Sequence, residues 1–284
     1  MTHRLALTVL ALVVTCAGGA RLAAADPTAE QLLAHADRLR ERVRGDRMTV
    51  VVEPPFVVVG DSAGVVRGRS AGILRWAVAR YRADLFVTGP DRVIEVWLFR
   101  NEKTYRRGAR RYFGDQPSTP YGYYSPEDSA IIMNIGPGAG TLTHELVHPY
   151  VEADFPTAPA WLNEGLGSLY EQPTDRAGHI AGKVNWRLPS LQRQLRAGLV
   201  PPLSTLLATT TDEFYGADYD SYAYARYLMM HLQEEGRLFD FYARLRAAAT
   251  TDPTGALTLA AVLGDEDAAA YERRWRRWVL ALRR

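Results

Sequence analysis

Residues 130–148 read Ala-Ile-Ile-Met-Asn-Ile, then Gly-Pro-Gly-Ala-Gly, then Thr-Leu-Thr-His-Glu-Leu-Val-His. The first six are apolar and β-branched enough for a short strand, and the glycine-proline run that follows is a loop. The last eight open a helix. Residues four apart on an α-helix lie about 40° apart around the axis and about 6 Å apart along it, so His144 and His148 can aim both imidazoles at one metal ion. Their nitrogens would take two corners of a tetrahedron at about 2.0 to 2.1 Å from the ion. Glu145 is rotated from His144 by about 100°, which puts it beside the open corner rather than on the ion. That is the place for a general base.

Two histidines leave a catalytic zinc site one protein ligand short. The carboxylate that best fits is Glu164, sixteen positions beyond His148 in the run Trp161-Leu162-Asn163-Glu164-Gly165, on the next helix after a loop over 151–159. Glu152 and Asp154 are nearer in sequence, but they lie in or just past the same helix as the histidines, and reaching back from there is awkward. Glu171, seven residues beyond Glu164, faces the same side and reads as a supporting group. The plainer alternative makes His144 and His148 ordinary helix residues satisfied by polar neighbours.

Working outward to the ends of the chain, Arg4 precedes an apolar run over 5–17, and Ala23-Ala24-Ala25 follows before Asp26-Pro27. This predicts a signal peptide over 1–25 and an exported protein, periplasmic or secreted. The apolar run is too short to span a bilayer well, and no later stretch approaches a transmembrane length. Val13-Val14-Thr15-Cys16 loosely resembles a lipobox, with threonine a poor match before the cysteine, so a lipid anchor at Cys16 is the minor alternative. Removal of the segment takes Arg4 and Arg21 but no acidic residue, so net charge falls from +2 to zero. It also takes the single cysteine. A mature chain without thiols has no disulfide framework, thiolate zinc cage or cysteine nucleophile, and its neutral balance gives no reason to expect a nucleic-acid partner.

The remainder is predicted to be α+β. A helix over 29–42 precedes residues 49–59, which are β-branched, broken by Pro54-Pro55, and read as two strands or one sharply broken strand. A helix over 71–82, a strand over 93–99 and a helix over 101–112 follow. The stretch 121–129 is turn-rich, and the strand over 130–135 leads into the motif helix. Helices are then predicted over 160–171, 188–197, 203–208, 219–235, 238–249 and 268–282. The expected organisation is an α/β lobe with a small mixed sheet over 26–153, ending in the motif helix, and a mainly helical lobe over 154–284 carrying the third ligand, with a cleft between them. Near the C-terminus, Trp275, Trp278, Val279 and Leu282 share one helical face, so the arginines interleaved with them are the solvated side of a capping helix.

Three blocks together resemble the peptidase MA-like zinc metallopeptidases of the gluzincin branch, in their exported bacterial form. They are Thr143-His144-Glu145-Leu146-Val147-His148, Pro159-Ala160-Trp161-Leu162-Asn163-Glu164-Gly165-Leu166 and Tyr219-Asp220-Ser221-Tyr222-Ala223-Tyr224-Ala225-Arg226-Tyr227-Leu228. The resemblance extends over roughly 48–283 and implies a zincin-like fold with one Zn2+ on His144, His148 and Glu164. It also implies Glu145 as the base and Tyr219 as the residue that steadies the tetrahedral intermediate. From the residues alone, Tyr219 heads a group that includes Tyr222, His231 and Tyr215, any of which can donate to a developing oxyanion. The chain departs from the family in three ways. Pro149 directly follows the second histidine, which predicts that the helix ends or kinks there. The gap to Glu164 is shorter than in thermolysin-like enzymes, and the aminopeptidase signature Gly-x-Met-Glu-Asn is absent.

The expectation is therefore an exported zinc metallopeptidase acting on peptide or protein, without aminopeptidase activity. The strand over 130–135 is expected to pair with extended substrate. The alternatives are a zinc- or peptide-binding module without turnover, for which the Pro149 kink speaks, and a hydrolase of a non-peptide amide.

Overall fold

The computed structural model describes residues 26–264 and 267–284. The expected signal peptide and Cys16 lie outside the described residues. None of the described helices is long and apolar enough to cross a membrane.

The chain begins with α1 (Ala29–Arg42), whose first turn is closed by a reciprocal pair of hydrogen bonds between Thr28 and Gln31. The proline pair then separates β1 (Thr49–Glu53) from β2 (Phe56–Gly60), and the two pair antiparallel. Helices α2 (Ala63–Arg67) and α3 (Arg69–Asp84) lead to β3 (Ile94–Phe99), α4 (Glu102–Phe113), β4 (Gly122–Ser125) and β5 (Ala130–Asn134). The five strands form one mixed sheet in the order β1-β2-β3-β5-β4, with β2, β3 and β5 parallel and β1 and β4 as antiparallel edges. Every residue of β2, β3 and β5 is buried, which is why these segments read as unbroken apolar runs rather than alternating ones.

Side chains of successive strand residues divide between the two faces. Val57, Val59, Trp97, Phe99 and Ile132 pack on one face with Leu32, Ala36 and Leu39 of α1 and with Tyr105 and Ala109 of α4. Phe56, Val58, Val96, Leu98, Ile131 and Met133 pack on the other, in a core that continues through α3 into the second half of the chain. Helix α1 therefore lies across the sheet from the motif helices.

Two corrections concern the sheet. The stretch read as turn-rich contains the strand β4, whose Tyr121 carbonyl accepts from Asn134 N at 2.7 Å. Because β4 occupies one side of β5 and β3 the other, the strand over 130–135 is interior. It has no open edge for a substrate.

The motif segment is helical from Gly140 to Asp154, as α5 (Gly140–Glu145) and α6 (Val147–Asp154) with a one-residue interruption at Leu146. Pro149 has no N–H to give to the carbonyl four residues earlier, on Glu145, and its ring crowds that carbonyl. The disturbance consequently appears one turn before the proline. Leu146 keeps right-handed dihedrals (φ −65°, ψ −23°), so the helical path runs on through His148 instead of ending there.

The rest is α7 (Ala160–Leu169), a hairpin of β6 (Pro173–Arg176) and β7 (His179–Gly182), then α8 (Leu188–Arg196), α9 (Leu203–Leu207), α10 (Thr211–Tyr215), α11 (Ser221–Glu234), α12 (Leu238–Ala247), α13 (Ala256–Leu263) and α14 (Ala268–Ala281). The hairpin, α10 and α13 are absent from the sequence reading. At the hairpin, Ala177 and Gly178 take φ of 52° and 87°, a pair of left-handed residues that suits a tight two-residue turn. In α7, Gly165 packs against the backbone of α11 at Ala225.

Asp154, at the end of α6, ties this half to the first. Its side chain is 1% exposed and accepts from the backbone N–H groups of Val87 (3.1 Å) and Thr88 (2.8 Å), from Tyr242 Oη (3.0 Å) and from Arg246 Nη1 (2.7 Å). Asp154→Ala leaves a guanidinium, a phenol and two amides without their acceptor, and the expected loss is about 3 kcal/mol of unfolding free energy. Denaturant titration measures it. A loss within about 1 kcal/mol would mean that water replaces this anchor.

Candidate metal centre

The motif helix is held in place by two buried hydrogen bonds. Thr143 Oγ1 donates to the carbonyl of Tyr170 at 2.6 Å, and Tyr81 Oη donates to the carbonyl of Thr143 at 2.7 Å. Both bonds are buried, so α5 is held against the end of α7 and against α3. Beneath the His144 ring runs the backbone of α7. A Cβ on Gly167 would stand 3.0 Å from His144 Nε2 and 3.1 Å from two ring carbons, so only glycine permits this approach without displacing the imidazole.

His144 and His148 face each other with ring centroids 5.0 Å apart. His144, Glu145 and His148 offer ligand atoms that all lie within 4.8 Å of one another, and this buried group could hold a metal ion. Glu164 approaches His144 from α7, with Oε2 3.2 Å from His144 Nε2, but among the described residues the group whose ligand atoms all lie within 4.8 Å of one another contains Glu145 and not Glu164. Two ligand atoms at tetrahedral corners, each about 2.0 to 2.1 Å from a zinc ion, would be separated by about 3.3 Å. The observed spacing matches that.

The outer nitrogens are backed by acceptors, as metal-ligating histidines require. His148 Nδ1 lies 2.9 Å from Asn163 Oδ1. An amide oxygen accepts, so Nδ1 carries the proton and Nε2 keeps its lone pair for the site. His144 Nδ1 lies 3.4 Å from Glu171 Oε1, off the line of a formed hydrogen bond. Glu171 is in turn gripped by Arg187 (Nε 2.9 Å, Nη2 2.6 Å) and by Asn185 Nδ2 (2.9 Å). Tyr215 Oη donates to Glu164 Oε1 at 2.6 Å, which occupies one carboxylate oxygen and leaves the other toward His144.

The electrostatics describe a site shaped for positive charge. Burial by itself pushes His144 down, but Glu164 and Glu171 on either side of the ring carry its pKa up to about 10. Burial opposes ionisation of Glu164, and the two imidazoles with the Tyr215 hydroxyl overcome it, bringing the carboxyl to about 2. Glu171 is likewise opposed by burial and brought to about 2, chiefly by its bonds to Arg187 and by the neighbouring His144 ring. Glu145 goes the other way. Burial raises it above the ordinary carboxylate value, and its Oε2 stands 3.7 Å from His148 Nε2. A buried carboxylate of raised proton affinity, next to the ligand cluster but not hydrogen-bonded into it, has the properties of a base.

The cluster forms the floor of a cleft of about 1010 Å³. Its walls are β4 with the loop before it, the motif helices, and a group from α7, the β7–α8 loop, α10 and the start of α11. Tyr215 and Tyr222 line this space. Tyr219, the first choice from sequence, does not. It lies before α11, which begins at Ser221 behind the N-cap Asp220, and its hydroxyl is buried without a partner while its ring packs against Tyr224. His231 is buried farther along α11 against Tyr271 and Trp278 and is not in the cleft wall. Glu152, also in the wall, is held by Arg92 and Tyr124, and Asp154 is the anchor described above.

Asn163, Asn185 and Arg187 were not singled out from sequence. Asn163 had a signal, since it adjoins Glu164 in the quoted block. Arg187 and Asn185 had none, because a loop residue after a hairpin is brought to the site only by tertiary folding. No protein-family model matches this chain, and no curated protein matches it significantly.

Proposed function

We propose that the protein is an exported zinc-dependent metallopeptidase of zincin-like fold, with one Zn2+ on His144, His148 and Glu164. The observation that carries the proposal is the 3.2 Å approach of Glu164 Oε2 to His144 Nε2, beside a second imidazole whose Nδ1 is already committed to Asn163. These are three oxygen and nitrogen donors with no thiolate, the set of a catalytic rather than a structural zinc site. A zinc ion there would polarise a carbonyl and lower the pKa of water from 15.7 toward about 7.

The residues supply the rest. Glu145 accepts a proton from the attacking water and returns it to the leaving nitrogen. The donor for the developing oxyanion is Tyr222 in this reading, since Tyr219 lies outside the cleft and Tyr215 is spent on Glu164. Tyr222 faces the charges of Glu164, Glu145 and Glu171, and burial keeps its phenol protonated well above neutral pH, so it can donate. Glu171, held by Arg187 and Asn185, fixes the ring of His144.

Substrate pairing moves from β5 to β4. Because hydrogen-bonded pairs alternate along an antiparallel ladder and Tyr121 bonds to Asn134, the backbone groups of Gly122 and Tyr124 point to the open edge. An extended peptide could add there as a further strand. Pro149, the feature that favoured a module without turnover, leaves His144 and His148 on a common helical path. Export rests on the sequence of residues 1–25.

The test is cleavage of a mixed peptide library by the mature chain, with and without a zinc chelator. Cleavage within peptides is expected, lost on chelation and restored by zinc. Cleavage that persists after the metal has been removed would refute the proposal.

A further inference from the structure

Among the described residues, three large hydrophobic side chains stand exposed around the cleft: Tyr121 (48% exposed), Trp186 (54%) and Tyr215 (52%). Tyr121 directly precedes β4, Trp186 is in the β7–α8 loop, and Tyr215 ends α10. Exposed aromatic surface is costly to leave in water, and its concentration around a concave site marks a place for apolar groups. The Trp186 ring is also held in position. The Arg187 guanidinium lies 4.3 Å from its centroid and 5.2 Å from that of Tyr222, and Arg187 is fixed by its two bonds to Glu171.

The charges of the cleft are spent. Five charged side chains line it. Glu164 and Glu171 are bonded to Tyr215 and Arg187, Glu145 is the base, and Glu152 is taken by Arg92 and Tyr124. The one guanidinium, that of Arg187, is taken by Glu171. A peptide's terminal carboxylate would find no free lysine or arginine in the wall, and its terminal ammonium would find no carboxylate besides Glu145, the base. Charged side chains would meet the same lack, and taking them out of water without a partner is unfavourable.

We infer that the cleft takes an internal, uncharged stretch of polypeptide with large apolar or aromatic side chains flanking the bond to be cut. This rests on the peptidase reading, which it narrows to an endopeptidase without carboxypeptidase activity.

The experiment uses the mature chain carrying Glu145→Gln and loaded with zinc, titrated calorimetrically with three peptide sets. The first set is blocked at both ends with Phe, Tyr or Leu around the central bond. The second is blocked with Asp or Lys in those places, and the third is apolar but has a free terminus next to that bond. The first set is expected to bind at least about tenfold more tightly than the other two, and Trp186→Ala to weaken it by about tenfold. Native protein is expected to cut the first set fastest. Equal or tighter binding of the second or third set, or binding of the first set unchanged by Trp186→Ala, overturns this inference and leaves the peptidase reading standing. If no set is bound or cut by protein that holds its zinc, both fall together.

Discussion

Glu145→Gln is expected to lower kcat on a peptide substrate by about a thousandfold, within the 10²–10⁴ range of general acid–base catalysis. Glutamine has the size of glutamate and keeps an oxygen at the same distance, but at neutral pH it cannot take a proton. The change therefore removes one role and little else. Glu145 contributes neither of the contacts behind the His144 and His148 rings, which are the approach of Glu171 to His144 and the hydrogen bond of His148 to Asn163, so zinc content is expected to stay at the native level. A thousandfold loss corresponds to about 4 kcal/mol of transition-state stabilisation. Steady-state kinetics alongside metal analysis of the same preparations checks both halves. Activity of the variant within about threefold of native would remove Glu145 as the base.

The second large effect separates a ligand from its support. Glu164→Gln is expected to weaken zinc binding by more than about 100-fold, while Glu171→Gln is expected to weaken it by only about 10- to 100-fold, the usual range for a group that orients a ligand. The order follows from the geometry. Glu164 is an ionised carboxylate 3.2 Å from His144 Nε2, on the side of the ring that faces the site. Glu171 lies behind the ring at Nδ1. In both variants the amide keeps one oxygen for its donors, Tyr215 in one case and Arg187 or Asn185 in the other, so the comparison sets the loss of a ligand against the loss of a support. Competition against a chelator of known affinity measures both variants. If Glu171→Gln proves the more damaging, the two carboxylates have been assigned the wrong way round.

Much of this arrangement was legible in the sequence because it is local. The i, i+4 spacing of His144 and His148 fixes their common face whatever surrounds the helix, and the strand and glycine loop before them appear where the apolar run and its breakers put them. Glu164 was legible as the next carboxylate on the next helix. What escaped was decided by tertiary contacts. The segment with Tyr121-Gly122-Tyr123-Tyr124-Ser125 has turn-like composition and becomes a strand because β5 offers it an edge, and recognition of β4 is what makes β5 interior. Tyr219 was misplaced by two residues of helix boundary. Asp220 accepts from Ala223 N as an N-cap, and an aspartate followed by a helical pattern is a start signal that would have left Tyr219 outside α11. Pro149 predicts an end or a kink at His148, and the structure has a one-residue interruption at Leu146 instead, because the proline's effect falls on the carbonyl four residues back. Arg187 reaches Glu171 only through the turn of the β6–β7 hairpin and the loop after it, a path that no spacing rule encodes.

Zinc analysis of the purified mature chain, with X-ray absorption at the metal edge, tests the central claim most directly. The predicted result is about one zinc per chain, with a shell of nitrogen and oxygen only at about 2.0 to 2.1 Å, and loss of that zinc in the His144→Ala and His148→Ala variants. Protein that folds without a stoichiometric metal, or that keeps its full complement after both histidines are replaced, would contradict the account.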